Sequence, residues 1–253
     1  MSIKPHFAPD IQGDSIGEKD GLNSNILELT IDKFDSESTI LRKEDIFIFF
    51  DSNPSPLKNR LGITIIKDTP FYEDSLLYLP NEMKTLSGAR FKIYIHREVR
   101  DSDDRIFKVF TIAHELQHVL QYLGSKISYC QAALVQTYMS IFQRLTNKLY
   151  RMVPIEIDAC RKAKSIAIKL DGKEKVSSFV EQQIRNTKDG KGRSYWMNIR
   201  ELDIGKSFDL QKEMQIFWDK YKGKIYLKKG ELESKDTKLD AKERDFLVAL
   251  SWM

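Results

Sequence analysis

The sequence predicts an α+β fold in which a small twisted sheet, mixed or antiparallel, is followed by a mainly helical half. Three short segments that favour strands, residues 46–50, 61–66 and 90–97, lie in the first hundred residues. After about residue 104, apolar residues recur at the three- and four-residue spacing of amphipathic helices. Strand segments that precede helical segments in this way are typical of an α+β fold.

The predicted strands differ in pattern. Residues 25–31 and 90–97 alternate between apolar and polar side chains, which is typical of strands. Residues 46–50 and 61–66 are continuous apolar runs, and we expect both to be buried strands. Together these segments predict the sheet.

The second half is predicted to consist of helices that follow one another closely. We expect a glycine- and lysine-containing loop at residues 188–193, and an apolar tail at residues 246–253 that docks on the body. The predicted helices span residues 106–123, 132–149, 154–170, 176–184 and 210–221.

We expect one folded domain. Residues 1–25 contain scattered glycines, prolines and charges and are predicted to form a flexible arm. Residues 26–253 are predicted to form the domain, with its sheet part at about 26–100 and its helical part at about 104–253. The 253-residue chain is long enough for one sizeable core.

Composition and charge favour an ordinary globular protein. The chain is 41% hydrophobic with a formal net charge of +4. It shows no signal-peptide pattern and no run of roughly 18 apolar residues, so we expect a cytoplasmic protein without membrane contact.

Cys130 and Cys160 form no C-x-x-C pair and are expected to be reduced thiols. The basic residues at 220–229 allow nucleic-acid binding, but a solvated lysine face is the more common meaning. The sequence does not indicate an oligomeric state.

A candidate metal-binding motif lies in the first predicted helix. His114 and His118 are four residues apart and project from one helix face, where they can bind one metal ion. Glu115 lies on the flank of that pair, as the general base does in the H-E-x-x-H motif. The alternative is a chance match, with ordinary histidines on a helix surface. The apolar residues around most of this helix favour burial, and buried polar groups need a partner such as a metal ion.

A third ligand is expected from a later helix. The first carboxylates after the motif are Glu156 and Asp158. Glu156 belongs to a stripe of mostly small residues that should face the core, whereas Asp158 shares its face with Arg161 and Lys162 and should face solvent. Glu156 is therefore the predicted ligand. The alternative is an acidic residue that merely complements the dipole of a first helical turn.

These residues resemble a known family. The H-E-x-x-H motif at residues 114–118, followed by a helix that carries Glu156, resembles the gluzincin branch of the zincin-like metallopeptidases, in particular its compact intracellular members. The H-E-L-x-H-x-x-Q form that ends at Gln121 and the Pro-x-Glu-x-x-Ala form at residues 154–159 are similar to several of its subfamilies. The resemblance covers about residues 105–170.

The resemblance implies a zincin-like fold with an active-site helix, and a zinc-dependent peptidase. It implies Zn²⁺ bound by His114, His118 and Glu156, and a protein or peptide substrate cleaved by a metal-activated water with Glu115 as general base. It carries over no histidine or tyrosine that would stabilise the transition state. The alternatives are a zinc-stabilised binding or regulatory module without turnover, and a protein that binds no metal.

The strand at residues 90–97 suggests a substrate-binding edge. It ends just before the motif helix, and zincin-like enzymes commonly have a sheet edge near the metal that pairs with extended substrate. Tyr94 or His96 is then expected to face the cleft. The alternative is that His96 is an ordinary half-exposed strand residue.

Overall fold

A four-stranded mixed sheet and a larger set of helices form the part of the chain that the computed structural model describes. This architecture confirms the predicted α+β class with a small sheet. The described residues are 3–7, 16–34, 36–51, 61–69, 88–143, 152–188, 190–235 and 238–251.

The strands are β1 (Lys4–Phe7), β2 (Ile46–Phe50), β3 (Gly62–Ile66) and β4 (Phe91–Ile95), and their order in the sheet is β1-β2-β4-β3. Strands β1, β2 and β4 are parallel, whereas β3 runs antiparallel to β4. Strand β3 therefore forms one edge, and no strand among the described residues pairs with its outer side.

Strand β4 has the predicted alternation, but both of its faces are buried. Phe91, Ile93 and Ile95 belong to the main core. Lys92 and Tyr94 lie on the opposite face and are exposed by only 1% and 0%. Tyr94 belongs there to a second buried cluster with Phe47, Phe49 and Ile65, so side chains cover both faces of β4.

The predicted helices at residues 154–170, 176–184 and 210–221 are confirmed, and the last continues to Glu233. The predicted helix at 132–149 is confirmed as far as Phe142, and residues 144–149 lie outside the described ranges. The helices are α1 (Ile16–Asp32), α2 (Ser36–Lys43), α3 (Arg97–Asp101), α4 (Arg105–Gly124), α5 (Lys126–Phe142), α6 (Pro154–Asp171), α7 (Lys173–Asn186), α8 (Gly190–Glu201), α9 (Leu210–Glu233) and α10 (Ala241–Ser251).

Helix α4, which carries the H-E-x-x-H motif, is the central helix of the described structure. Asp104 caps its start, because the carboxylate accepts a hydrogen bond from the Phe107 amide at 3.1 Å. One face packs against β3 and another packs extensively along α6. Small buried residues on α6, namely Ala159, Ala163 and Ala167, allow the two helices to approach closely.

The predicted arm at residues 1–25 and the predicted strand at residues 25–31 are wrong where the structure describes them. Residues 4–7 form strand β1, and the chain from Ile16 onward forms α1. The segment that was expected to be loosely attached therefore contributes one strand and one long helix.

Helix α1 is fastened to the motif helix through a buried polar contact. Asn23 is fully buried and accepts a hydrogen bond from Lys108 Nζ at 2.6 Å. Asn23, Leu27 and Ile31 are all buried and recur four residues apart, as the inner face of a helix requires. The short alternating window at residues 25–31 concealed this helical pattern.

Two predictions about the C-terminal half had different outcomes. The predicted loop at 188–193 is wrong from Gly190 onward, because α8 begins there and buries Trp196 and Ile199. The predicted docking of the tail is confirmed for α10, where Phe246 is fully buried; residues 252–253 lie outside the described part. None of the described helices is both apolar enough and long enough to span a bilayer.

Candidate metal centre

Three predicted ligands meet where helix α4 crosses the first turn of helix α6. The Nε2 atoms of His114 and His118 are 3.2 Å apart, and His114 Nε2 lies 3.4 Å from Glu156 Oε2. One donor atom from each of the three residues lies within 4.8 Å of the others. All three residues are at most 9% exposed.

These separations fit a single zinc ion. Two ligands bound to one tetrahedral zinc at 2.0–2.1 Å should be about 3.3 Å apart. The distances from His114 to His118 and to Glu156, 3.2 Å and 3.4 Å, bracket that value, and the donor atoms of all three residues lie within 4.8 Å of one another. Two imidazoles and one carboxylate are also a donor set that zinc uses in catalytic sites, with room for one further ligand.

The tautomer of His118 is set by Gln121. The Gln121 amide nitrogen donates to Ile155 O and Asp158 Oδ2, both at 2.8 Å, so its oxygen faces His118 Nδ1 at 2.9 Å. That oxygen can only accept a hydrogen bond, so Nδ1 carries the proton. The lone pair of His118 Nε2 consequently points toward the cluster, where a metal would lie.

Asp158 is only partly exposed and its carboxylate is turned toward α4, which corrects the prediction that it faces solvent. Its carboxylate accepts hydrogen bonds from Gln117 Nε2 at 2.7 Å and from Gln121 Nε2 at 2.8 Å. The prediction relied on the basic residues that follow Asp158 at helical spacing. Polar partners on α4 make an inward position acceptable for a carboxylate. Asp158 thus supports Gln121 and, through it, His118.

His114 has a weaker outer partner and a strongly perturbed proton affinity. Its Nδ1 lies 3.7 Å from Cys160 Sγ, and the Cys160 sulfur lies 4.0 Å from the Tyr195 hydroxyl. Burial acts to lower the pKa of His114, but Cys160, Glu156 and Glu115 outweigh burial and raise that pKa well above its ordinary value. Without metal, a proton on His114 therefore faces the Glu156 carboxylate.

Glu156 is ionised and has its own outer partner. Burial acts to raise its pKa, but the hydrogen bond and charge of His114, together with the hydrogen bond from Gln136, outweigh burial and lower it to about 2. Gln136 Nε2, on helix α5, donates to Glu156 Oε1 at 3.1 Å. This bond leaves Oε2 directed at His114.

Glu115 lies on the side of α4 that faces the sheet edge. Its carboxylate Oε2 is 2.7 Å from Thr64 Oγ1, and its backbone oxygen is 2.9 Å from the same hydroxyl. A Cβ atom added at Gly62 would lie only 2.7 Å from Glu115 Oε1. Strand β3 therefore contacts the predicted general base directly.

The structure does not bring Tyr94 or His96 to this cluster. The expectation that β4 is the edge strand beside the site is wrong, because β3 pairs with β4 on that side. Tyr94 lies on the far face of the sheet, where its hydroxyl donates to Asp51 at 2.6 Å. His96 caps α3, since its Nδ1 accepts a hydrogen bond from the Glu98 amide.

Several residues of the site were not found from the sequence. Gln136 and Tyr129 come from α5, and the Tyr129 ring lies 6.4 Å from the His118 ring. Burial raises the pKa of Tyr129, and the charges of Glu156 and Glu115 add to that effect, so its phenol stays protonated. For Gly62 and Thr64 a signal existed: a glycine and a hydroxyl two residues apart share one face of an otherwise apolar strand.

Comparisons with protein-family models, with curated proteins and with solved structures found no significant match for this chain. The site is therefore interpreted from its own residues and geometry.

Proposed function

We propose that this protein is a zinc-dependent peptidase of the zincin-like, gluzincin type. The observation that carries the proposal is the meeting of His114, His118 and Glu156, in which His114 lies from each of the other two ligands at the separation suited to one tetrahedral zinc. Glu115 adds a carboxylate on the flank of the same helix. The four residues combine a metal site with a base, which is the combination that metal-assisted hydrolysis of a peptide bond uses.

The ligands are prepared for a cation by their partners. Gln121 orients the lone pair of His118 toward the cluster, and Gln136 orients one oxygen of Glu156. A bound Zn²⁺ ion would supply Lewis acidity, which polarises a peptide carbonyl and makes a water molecule more acidic. The negative charge of Glu156 favours a divalent cation in this buried place.

Glu115 would move the protons. Its carboxylate would accept a proton from the attacking water, whose oxygen joins the carbonyl carbon of the scissile bond. The same carboxyl group would return the proton to the nitrogen that leaves. Thr64 supplies the hydrogen bond that holds the carboxylate on this flank of α4.

The outer edge of strand β3 is an argument for an extended peptide as the substrate. At the two ends of the β3–β4 ladder, His96 N donates a hydrogen bond to Leu61 O, and Lys67 N donates one to Arg90 O. The backbone groups of the odd-numbered residues of β3 therefore bond to the β4 side. The backbone groups of Gly62, Thr64 and Ile66 then point to the outer edge, where no described strand bonds to them. A peptide could add there as a further strand beside Glu115.

The test is a comparison of the wild-type protein with Glu115→Gln. Both should bind about one zinc per chain, measured by elemental analysis, because Glu115 is not a ligand. Wild type should cleave a library of fluorescence-quenched peptides or labelled casein, and Glu115→Gln should lose at least about a hundredfold in rate. Absence of zinc from the gently purified wild type, or full activity of Glu115→Gln, would contradict the proposal.

A second candidate is a zinc-stabilised binding or regulatory module without turnover. The burial of all three ligands favours it, because structural zinc sites are closed. It predicts that zinc raises the unfolding temperature while neither wild type nor Glu115→Gln cleaves any peptide. The same pair of proteins therefore distinguishes the two functions.

A further inference from the structure

We propose that Thr64 is a positioning residue for Glu115, and that Gly62 provides the space the Glu115 side chain occupies. The inference rests on the proposed peptidase function and extends it, because it assigns the alignment of the base to the edge strand β3. Neither residue belongs to the resembling motifs, which begin at His114.

The hydrogen bond has one donor and two acceptors. The Thr64 hydroxyl has a single proton, and both Glu115 Oε2, at 2.7 Å, and Glu115 O, at 2.9 Å, lie within reach. A carboxylate is a stronger acceptor than a peptide carbonyl, and its distance is the shorter of the two. Among the described residues, Thr64 is the hydrogen-bond donor that the Glu115 carboxylate meets.

The close approach depends on a glycine. A Cβ atom at position 62 would lie 2.7 Å from Oε1, 2.8 Å from Cγ and 2.9 Å from Cδ of Glu115. Side-chain Cβ atoms essentially never tolerate contacts this short, so the glutamate would have to move. Gly62 and Thr64 are two residues apart and project to the same face of β3. Thr64 holds the carboxylate by a hydrogen bond, and Gly62 leaves the space that the side chain occupies.

The position matters because Glu115 is the group that must reach the attacking water. A glutamate side chain has several rotatable bonds, and a displacement of about 1 Å can reduce turnover about a hundredfold. The hydroxyl of Thr64 bonds to Glu115 and not to the three ligands, so metal binding should not depend on it. The expected signature is therefore a loss of kcat at unchanged zinc content and unchanged KM.

The experiment compares wild type, Thr64→Val and Thr64→Ser. Valine keeps the branched shape but removes the hydroxyl, whereas serine keeps the hydroxyl. Crystal structures should show the Glu115 carboxylate displaced or in several conformers in Thr64→Val, and in its original position in Thr64→Ser. With quenched peptides, Thr64→Val should lose about 10- to 100-fold in kcat, and Thr64→Ser should recover most of it.

Gly62→Ala is the independent variant, and Gly124→Ala is its control because a Cβ at Gly124 meets nothing within 4 Å. Gly62→Ala should displace Glu115 and retain zinc, whereas Gly124→Ala should do neither. An undisplaced Glu115 carboxylate in both Thr64→Val and Gly62→Ala, or wild-type kcat in both, would overturn the inference. If the wild type cleaves no peptide, the proposed function fails, while the Glu115 position in the variant structures still decides this inference.

Discussion

The two acidic residues of the site lie on opposite sides of helix α4 and have different surroundings. Toward α6, Glu156 meets His114 at 3.4 Å, and both side chains have strongly shifted pKa values. Toward β3, Glu115 meets a neutral hydroxyl, that of Thr64, and its side chain fills the space beside Gly62. The proposed function assigns the cation to the α6 side and proton transfer to the β3 side. Metal binding and proton transfer should therefore be separable by mutation.

The largest expected effect is the loss of a ligand from the α6 side. Glu156→Gln keeps the shape but removes the negative charge, and it should weaken zinc binding by more than about 100-fold, the upper end for loss of an outer partner. Zinc affinity is measured by competition with a chelating dye. The matched control is Glu174→Gln, an exposed acid in the first turn of α7. Equal affinities of both variants would contradict the ligand role.

The next effect concerns the partner that orients His118. Gln121→Ala removes the hydrogen bond to His118 Nδ1, so the imidazole loses its fixed tautomer and orientation. Zinc affinity should fall about 10- to 100-fold. Gln182→Ala, which changes an exposed glutamine on α7, serves as the control. If Gln121→Ala binds zinc with the affinity of the wild type, the hydrogen bonds from Asp158 through Gln121 to His118 do not contribute to zinc binding.

The dependence of zinc binding on pH sharpens the comparison further. Because the pKa of His114 is raised well above its ordinary value, a proton must leave His114 before zinc can bind. Glu156, with a pKa of about 2, stays ionised throughout this range. Zinc affinity should rise with pH by up to about tenfold per unit until the pKa of His114 is reached. Titrations at about pH 6.5 and 7.5 test this, and equal affinities at the two values would be inconsistent with a proton on His114.

The smallest effect concerns the other histidine. Cys160 lies 3.7 Å from His114 Nδ1 and borders a cavity of about 160 Å³ between α6 and α8. A sulfur at this distance is a weak partner, so Cys160→Ala should reduce zinc affinity by less than about tenfold, the lower end for loss of an outer partner. Cys130→Ala, at the other buried cysteine, is the control. A loss larger than that of Gln121→Ala would reverse the assigned ranking of the two partners.

The clustering of His114, His118 and Glu156 could be predicted because it depends on local spacing. The four-residue step from His114 to His118 and the inward stripe that begins at Glu156 are properties of single helices. The absence of acidic residues between the two helices reduced the choice to Glu156 and Asp158. For Asp158 the same periodicity failed, because it measures apolarity and does not detect hydrogen bonds across an interface, such as those from Gln117 and Gln121.

The contacts of Glu115 with strand β3 could not be predicted, because they join distant parts of the chain. Which strand forms the edge is decided by the pairing of β3 with β4 and by the packing of β3 on α4. Thr64 and Glu115 are 51 residues apart, and neither sequence neighbourhood indicates the other. The strand nearest to the motif in sequence is β4, but Tyr94 in β4 and His96 just after it have other partners.

The most direct test of the central claim is an anomalous-diffraction map of crystals grown with one equivalent of zinc. The account predicts one peak, within about 2.0–2.2 Å of the two histidine Nε2 atoms and of a Glu156 carboxylate oxygen. A map with no peak between α4 and α6, or with zinc bound by other side chains, would contradict it.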